Sequence, residues 1–286
     1  MGRPLDRRTR ARWDALIETE GKAVGLTGCR SVLENKLVND VFYEGTFRGQ
    51  PCIVKCSSRA PESIANEYEM SRRLAAVNRG VCAEPLTHWR SPDGEMAFVV
   101  MRRLSGPTLS SLLDAGVPET VAAGFAADAL EIDEALERAA ISHRDIFPGN
   151  LMLDDDGHLR LIDLQFSVDF DRPQPDVWLR QHPKYHYLSL GIHPEFGIGV
   201  WNDAESLSIC LGFLPQTDAV RAARTALKNR AKDRFCRVPV TALERCRIFL
   251  YAVSLSFQVL FRPTSEKRAR LSDRRAKVKQ LLWKGV

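Results

Sequence analysis

The spacing of apolar residues changes along the chain and predicts its secondary structure. Residues 1–24 place Trp13, Leu16 and Ile17 on one side of a predicted helix. From Val32 to Val54, β-branched and aromatic residues alternate with glycine and proline, which is typical of two or three strands joined by tight turns. Pro61 fits the first turn of a helix. The apolar residues that follow it recur at helical spacing, which predicts a helix from this point.

The later part of the chain is predicted to be mainly helical. A buried strand over 97–101 is followed by a break at 105–107, and helical patterns then cover 120–140 and the region from Ala204 onward. A hairpin interrupts them at 151–162, with Asp156-Gly157 at its turn. Strands followed by helices are typical of an α+β protein.

We therefore predict three segments with different composition. They are a helical extension over 1–30, a β-rich lobe over 31–104, and a helical lobe over 105–286 that ends in a basic helix.

The overall composition is that of a globular protein. The 286 residues are 44% hydrophobic and 27% charged, which excludes intrinsic disorder and a collagen-like chain. Seven cysteines without a C-x-x-C pair argue against a disulfide framework and favour a reducing compartment. The first residues lack the apolar core of a secretory signal. We expect a soluble, cytoplasmic protein.

The net charge of +5 is concentrated in basic clusters near the two ends, at 3–12 and 266–279. No nucleic-acid recognition motif accompanies them, so no nucleic-acid partner is expected. Leu271, Val278 and Leu282 lie near one face of a predicted helix, which we expect to pack on the second lobe. The alternative is peripheral contact with an anionic membrane at its cytoplasmic face.

One polar block has the residue types of a catalytic site. His143-Arg144-Asp145 is followed by Asn150, the predicted hairpin and Asp163. Asn150 and Asp163 flank this hairpin, whose length would bring them together. Amide and carboxylate oxygens are hard ligands suited to Mg²⁺, and Asp145 could accept a proton from a hydroxyl nucleophile.

This block resembles the catalytic segment of the protein-kinase-like superfamily, H-R-D-x-x-x-x-N followed by a metal-binding Asp. The likeness runs from about Leu33 to Leu211. It implies a bilobal α+β fold with a small β-rich N-lobe and a helical C-lobe. It also implies ATP and Mg²⁺ as cofactors, with Asp145, Asn150 and Asp163 as catalytic residues and the last two as metal ligands.

The same resemblance implies a nucleotide site in the first lobe. Lys55 ends an Ile-Val-Lys run like that of the strand lysine that neutralises the α- and β-phosphates of ATP. Glu67 is its predicted partner because it shares a helical stripe with apolar residues, whereas the alternative, Glu69, lies off that stripe. The backbone around Arg103 and Leu104 resembles the hinge that faces the adenine edge.

Asp203 has two interpretations. It stands where the superfamily carries an aspartate that braces the catalytic loop, and it is equally readable as a helix N-cap.

Three features depart from conventional protein kinases. No G-x-G-x-x-G precedes Lys55, and a different loop, with the help of Lys36, would cover the phosphates. Asp163 is followed by Leu-Gln instead of Phe-Gly. Phe147 occupies the position of a lysine that touches the transferred phosphate in Ser/Thr protein kinases, and no clear A-P-E follows Asp163.

The run 147–150, Phe-Pro-Gly-Asn, is similar to the H-P-G-N of aminoglycoside-type and other small-molecule phosphotransferases. Together with 143–145 it also resembles bacterial lipopolysaccharide core-sugar kinases. We therefore expect a kinase that transfers the γ-phosphate of MgATP to a hydroxyl of a glycan, such as a lipopolysaccharide-type sugar, or of a small molecule. The alternatives are a Ser/Thr protein kinase with the same site and a pseudokinase that serves as a binding module.

Overall fold

The fold is mixed α+β. The computed structural model describes residues 7–35, 40–58, 61–171, 190–191, 198–239 and 246. Within these residues lie one five-stranded antiparallel sheet, three two-stranded pairs and several helices. The chain divides into two compact units, of which the first comprises 1–107 and 152–166 and the second comprises 108–151 and 167–286.

The five-stranded sheet is the centre of the first unit, with strand order β1-β2-β3-β5-β4. Its strands are β1 (Leu26–Asn35), β2 (Asp40–Phe47), β3 (Gln50–Ser57), β4 (Pro85–Arg90) and β5 (Ala97–Arg102). The helices of this unit are α1 (Arg7–Leu16), a π-helical turn (Ile17–Gly21), α2 (Lys22–Val24) and α3 (Pro61–Val77).

Strand alternation gives this sheet two different apolar faces, because successive side chains point to opposite sides. One face packs against the N-terminal helical segment through Trp13 and Ile17, which are 0% and 4% exposed. Its other members include Val41, Tyr43, Cys52, Val54, Cys56, Phe98 and Val100. The opposite face contributes Ala97, Val99 and Met101 to a cluster with Ile64 of α3.

A short hairpin extends the first unit on the side of β4. It consists of β7 (Leu151–Leu153) and β8 (Leu159–Leu161). The Leu161 N–H donates to the Val81 carbonyl at 2.8 Å, and the Ala83 N–H donates to the Leu161 carbonyl at 3.1 Å. These bonds fix the end of β8, so the residues that follow it enter the first unit at a defined place.

The second unit is mainly helical. Its helices are α4 (Leu109–Ala115), α5 (Glu119–Arg138), α6 (Asp203–Leu211) and α7 (Asp218–Ala231). Two strand pairs accompany them, β6 (Ile141–Ser142) with β9 (Val168–Asp169) and β10 (Ile198–Trp201) with β11 (Cys236–Pro239). Asp133 of α5 is fully buried and pairs with Arg230 of α7 and with Arg234, at 3.2 and 3.1 Å.

The structure confirms the helix from Pro61, the strand at 97–101, the helix within 120–140 and the hairpin. The helical prediction for the region after Ala204 is wrong at Cys236–Pro239, which forms β11. Its partner β10 lies more than thirty residues away, and such non-local pairing leaves little local signal. Lys36 and the predicted basic helix around Leu271 lie outside the described residues.

The finer domain predictions, namely the bilobal kinase fold and the three segment boundaries, stay predictions.

In the part of the chain that the structure describes, no helix is long and apolar enough to cross a membrane.

The buried indole of Trp13 should account for much of the stability of the first unit. We expect Trp13→Ala to lower the free energy of unfolding by about 3–5 kcal/mol, because it removes a fully buried ring from the core. Urea unfolding monitored by circular dichroism measures this change. Glu18→Ala, on the exposed side of the same segment, is the matched control, and an equally small effect of both substitutions would contradict the packing role.

Candidate active site

The first unit holds a buried ammonium group between two carboxylates. Lys55, on β3, is 2% exposed. Its Nζ donates to Glu67 Oε2 at 2.9 Å and to Asp163 Oδ1 at 2.6 Å. The three residues come from a strand, a helix and the turn after β8, so tertiary structure brings them together.

The structure also decides between the two glutamates of α3. Glu67 is 1% exposed and lies on the apolar side of the helix, as its spacing from Ile64 and Met70 predicts. Glu69 instead binds Arg72 on the solvent side at 2.9 Å. The predicted contact between Lys55 and Glu67 is therefore present.

The charges in this cluster act on one another strongly because Lys55 and Glu67 are buried. Burial opposes the charged form of Lys55, but the carboxylates of Asp163 and Glu67 outweigh it and raise the pKa of Lys55. Burial also raises the pKa of Glu67, against the opposite pull of the Lys55 ammonium. A raised lysine pKa means that the ammonium is retained at neutral pH and can face an anion.

Asp163 adopts a backbone conformation that few residues other than glycine adopt. Its φ is +64°, and such strained residues concentrate at functional sites. The next residues form a buried 3₁₀ turn, Leu164–Phe166, and the Asn66 side-chain amide of α3 donates to the Gln165 carbonyl at 3.1 Å. The Leu-Gln pair that replaces Phe-Gly thus anchors the turn to α3.

Sequence reasoning missed one member of this cluster, Asp40. It is the first residue of β2, is 2% exposed, and interacts electrostatically with Lys55 and Asp163. Burial raises its pKa to about 6. Strand alternation is the sequence signal that could have identified Asp40, because residues two apart in a strand share a face. Phe42 lies opposite Lys55 in the paired strands β2 and β3, so Asp40 lies on the Lys55 side of the sheet.

In the second unit, Asp203 holds the backbone of the His143-Arg144-Asp145 segment. Its Oδ2 accepts from the His143 N–H at 2.7 Å and its Oδ1 accepts from the Arg144 N–H at 3.0 Å. The N-cap of α6 is Asn202, whose side chain accepts from the Glu205 N–H at 3.0 Å. The bracing interpretation of Asp203 is confirmed, and the N-cap interpretation is wrong.

Arg144, the middle residue of this segment, has a strained backbone and a buried side chain. Its φ is +68°, its side chain is 1% exposed, and its guanidinium lies 5.1 Å from the centre of the Trp201 ring. A strained residue persists only where its surroundings over-determine it. Here the Asp203 carboxylate and the Trp201 ring hold it on two sides.

Asn150 orders the remainder of this loop. Its side-chain Nδ2 donates to Asp145 at the backbone carbonyl, 2.9 Å, and at Oδ2, 3.2 Å. Its backbone N–H donates to the Phe147 carbonyl at 2.9 Å. With its nitrogen used in this way, Asn150 presents its amide oxygen as the group suited to a hard cation.

Phe147 is an exposed aromatic residue in the same loop. Its side chain is 40% exposed, and its ring lies over Gly149, where a Cβ atom would collide with it. The ring therefore has a defined position close in sequence to Asp145, at a position that carries no positive charge.

The oxygen donors predicted to hold Mg²⁺ have suitable chemistry, because Asp163 offers a carboxylate and Asn150 an amide oxygen. Among the described residues, no group of three or more His, Cys, Asp or Glu side chains could hold a metal ion by itself. Nucleotide phosphates and water would have to complete the coordination shell. The predicted proximity of Asn150 and Asp163 stays a prediction.

Comparison with known proteins gives a distant relationship. No family model matches the chain. A probable serine/threonine-protein kinase of Dictyostelium discoideum is 33% identical over 157 residues, covering 47% of this chain and 30% of that protein. The serine/threonine-protein kinase CBK1 of Pneumocystis carinii is 26% identical over 128 residues, covering 41% of this chain and 25% of that protein.

The chain thus spans less than a third of the length of these relatives. The likeness suggests the protein-kinase-like superfamily and, through the names of the relatives, a kinase-like function. The closer resemblance to lipopolysaccharide and aminoglycoside kinases stays a prediction.

The buried pair of Lys55 and Glu67 should be strongly coupled. Lys55→Met alone should cost about 3–5 kcal/mol of unfolding free energy, because it leaves buried carboxylates without their counter-charge. Lys55→Met combined with Glu67→Gln should cost clearly less than the sum of the single changes. Urea unfolding of the four proteins in this cycle measures the coupling. The solvent-exposed pair Glu69 and Arg72, in a parallel cycle, is the control and should show far less coupling; additivity in the buried pair would contradict the interpretation.

Asp203 and its neighbour Asn202 should protect different amides. Asp203→Ala should accelerate hydrogen exchange at the His143 and Arg144 amides by at least about tenfold, because hydrogen bonds to a charged acceptor are lost. Asn202→Ala should instead accelerate exchange at the Glu205 amide. Residue-resolved amide exchange under native conditions measures both effects. Unchanged protection of His143 and Arg144 in Asp203→Ala would remove the bracing role.

Proposed function

We propose that this protein is an ATP-dependent kinase with a bilobal protein-kinase-like fold. It transfers the γ-phosphate of MgATP to a hydroxyl of a glycan, such as a lipopolysaccharide-type sugar, or of a small molecule. The observation that carries this proposal is the buried arrangement of Lys55 with Glu67 and Asp163. In protein kinases, a lysine that is paired with a glutamate binds the nucleotide phosphates, and a nearby aspartate binds Mg²⁺.

In this proposal the first unit binds the nucleotide. Lys55 is the cation for the phosphates, and Glu67 keeps it aimed. Near Leu104, the Arg102 and Arg103 N–H groups are occupied by the Glu84 and Pro51 carbonyls, at 2.8 and 3.2 Å. Among the backbone hydrogen bonds of the described residues none uses the Leu104 N–H, which suits its assignment to the adenine edge.

Mg²⁺ would be held by Asp163 and Asn150, the two residues that the sequence resemblance assigns to it. When bound, the ion neutralises charge on the phosphates and orients them for transfer. Asp163 accepts a hydrogen bond from Lys55 through one oxygen, so the lysine also sets the direction of the carboxylate. Asn150 is positioned by its bonds to Asp145.

Asp145 is assigned to the acceptor hydroxyl. Its carboxylate is half-buried, and the Asn150 amide orients it by donating to Oδ2. A carboxylate placed this way can position the hydroxyl and accept its proton as the phosphoryl group is transferred. Asp203 serves this step indirectly, because it holds the backbone of the two residues before Asp145.

Phe147 supports a non-protein acceptor. The position that carries a lysine in conventional Ser/Thr protein kinases presents here an exposed ring. In this proposal the exposed ring binds the apolar side of a ring-bearing alcohol while Asp145, two residues earlier in the chain, binds its hydroxyl. The second candidate is a Ser/Thr protein kinase with the same site, the activity that the names of the two relatives give for those proteins.

We also propose that the protein works in the cytoplasm, where ATP is available. The seven cysteines, all as free thiols, support a reducing compartment. Contact between the basic C-terminal segment and an anionic membrane is the alternative to packing on the second lobe, and it would suit a lipid-linked sugar as acceptor.

The test is phosphate transfer from γ-labelled ATP with Mg²⁺ in a cell extract that contains glycolipid. Wild-type protein should label an acceptor, and Asp145→Asn and Asp163→Asn should each lower the rate by about a thousandfold. Asp156→Asn, an exposed change in the hairpin turn that preserves the turn chemistry, is the control and should retain activity. Thermal melting of each variant checks that the fold is kept.

The fraction that carries the label distinguishes the candidates. Label in glycolipid or small molecules that depends on Asp145 supports the proposal. Label in protein alone favours the Ser/Thr protein kinase. Nucleotide binding without transfer to any fraction favours the pseudokinase, and full activity in Asp163→Asn contradicts all kinase mechanisms described above.

A further inference from the structure

Asp40 is a buried carboxylate for which the proposed reaction has no use. It is 2% exposed and is the first residue of β2. Burying a carboxylate is costly unless it is paired or hydrogen-bonded. The carboxylate of Asp40 must therefore be stabilised by its neighbours.

The strand register places Asp40 on the same side of the sheet as Lys55. Asp40 lies opposite Ser57, and Phe42 lies opposite Lys55, so Asp40 and Lys55 are diagonal neighbours on one face. The Ser57 side chain is hydrogen-bonded to the Asp40 carboxylate, and Ser57 is itself 1% exposed. The carboxylate is thus held in place rather than free to swing into solvent.

The local charges are unbalanced. One ammonium, Lys55, faces the carboxylates of Glu67, Asp163 and Asp40. Asp40 is not one of the residues assigned to Mg²⁺, so its proposed effect on an anionic ligand is that of a fixed negative charge. In a site shielded from water, such a charge repels an anion over several ångströms.

We propose that Asp40 is a specificity residue that discriminates against metal-free nucleotide. A polyphosphate without a cation brings its full negative charge to Lys55 and is repelled by Asp40. A polyphosphate already bound to Mg²⁺ brings far less charge and is tolerated. The site therefore selects the form of ATP that can react. This inference rests on the proposed function, because it concerns the same nucleotide site.

The experiment compares two dissociation constants for each protein at pH 8 and constant ionic strength. One is for ATP with excess Mg²⁺ and the other is for ATP with EDTA, both by isothermal titration calorimetry. Asp40→Asn keeps the size of the side chain and its ability to accept from Ser57 but removes the charge. We expect it to tighten binding of metal-free ATP by about tenfold, and to change binding of MgATP by less than about threefold.

Two further variants make the result specific to this charge. Asp40→Glu retains the carboxylate and should keep the wild-type ratio of the two constants. Glu44→Gln removes a carboxylate from the same side of β2, where Glu44 pairs with Arg30 and Arg103, and should leave the ratio unchanged. Asp40→Ser, a smaller neutral side chain, replaces Asp40→Asn if thermal melting shows that the amide is not accommodated.

Each outcome separates this inference from the proposed function. The ratio is the dissociation constant for metal-free ATP divided by that for MgATP. A smaller ratio in the neutral variants, together with a wild-type ratio in Asp40→Glu, supports the role of Asp40. Equal changes in both constants, or no change, overturn it while leaving the kinase proposal intact. Failure of the wild-type protein to bind MgATP overturns both proposals.

Discussion

The first unit depends on the burial of one ammonium group. Lys55 is almost fully withdrawn from water, and a lysine in that environment remains charged only if carboxylates replace its hydration. Glu67 and Asp163 do so from two other parts of the chain, the second of them 108 residues away in sequence. The pair therefore links β3, α3 and the turn after β8. A network of this kind adds little stability compared with apolar packing, but removing one partner is costly because it leaves a buried charge uncompensated.

The second unit solves a different physical problem, the support of a strained loop. Arg144 has a left-handed backbone conformation that costs energy for a residue with a side chain. Asp203 offsets this cost by accepting from two consecutive N–H groups, and Asn202 beside it caps α6 and donates to the Ala231 carbonyl at the end of α7. Asp203 thus holds the loop, and the adjacent Asn202 connects α6 to the end of α7. Asn150 completes the loop by fixing the Asp145 carboxylate and the Phe147 backbone together.

The departures from conventional kinases acquire a physical meaning from these contacts. The Leu164–Phe166 turn is buried and bound to α3 through Asn66, so the sequence change after Asp163 leaves that residue anchored. Phe147 presents an exposed ring at the position where the sequence resemblance would place a lysine. Asp40 adds a negative charge near Lys55, so carboxylates outnumber the ammonium in this cluster. The turn after Asp163 keeps its backbone support, whereas Phe147 and Asp40 enter the proposed function through what the site would bind.

Local sequence patterns predicted most of the elements and most of the residues of the candidate site. The spacing of apolar residues predicted α3, β5, α5 and the hairpin, because amphipathic periodicity is a local property. The same periodicity placed Glu67 rather than Glu69 on the inner side of its helix. Tertiary structure alone decided the partner of β10, the role of Asp203 and the presence of Asp40 beside Lys55. These depend on which distant segments meet, and a carboxylate at a helix start or a strand end has the same sequence signature whether it caps, braces or repels.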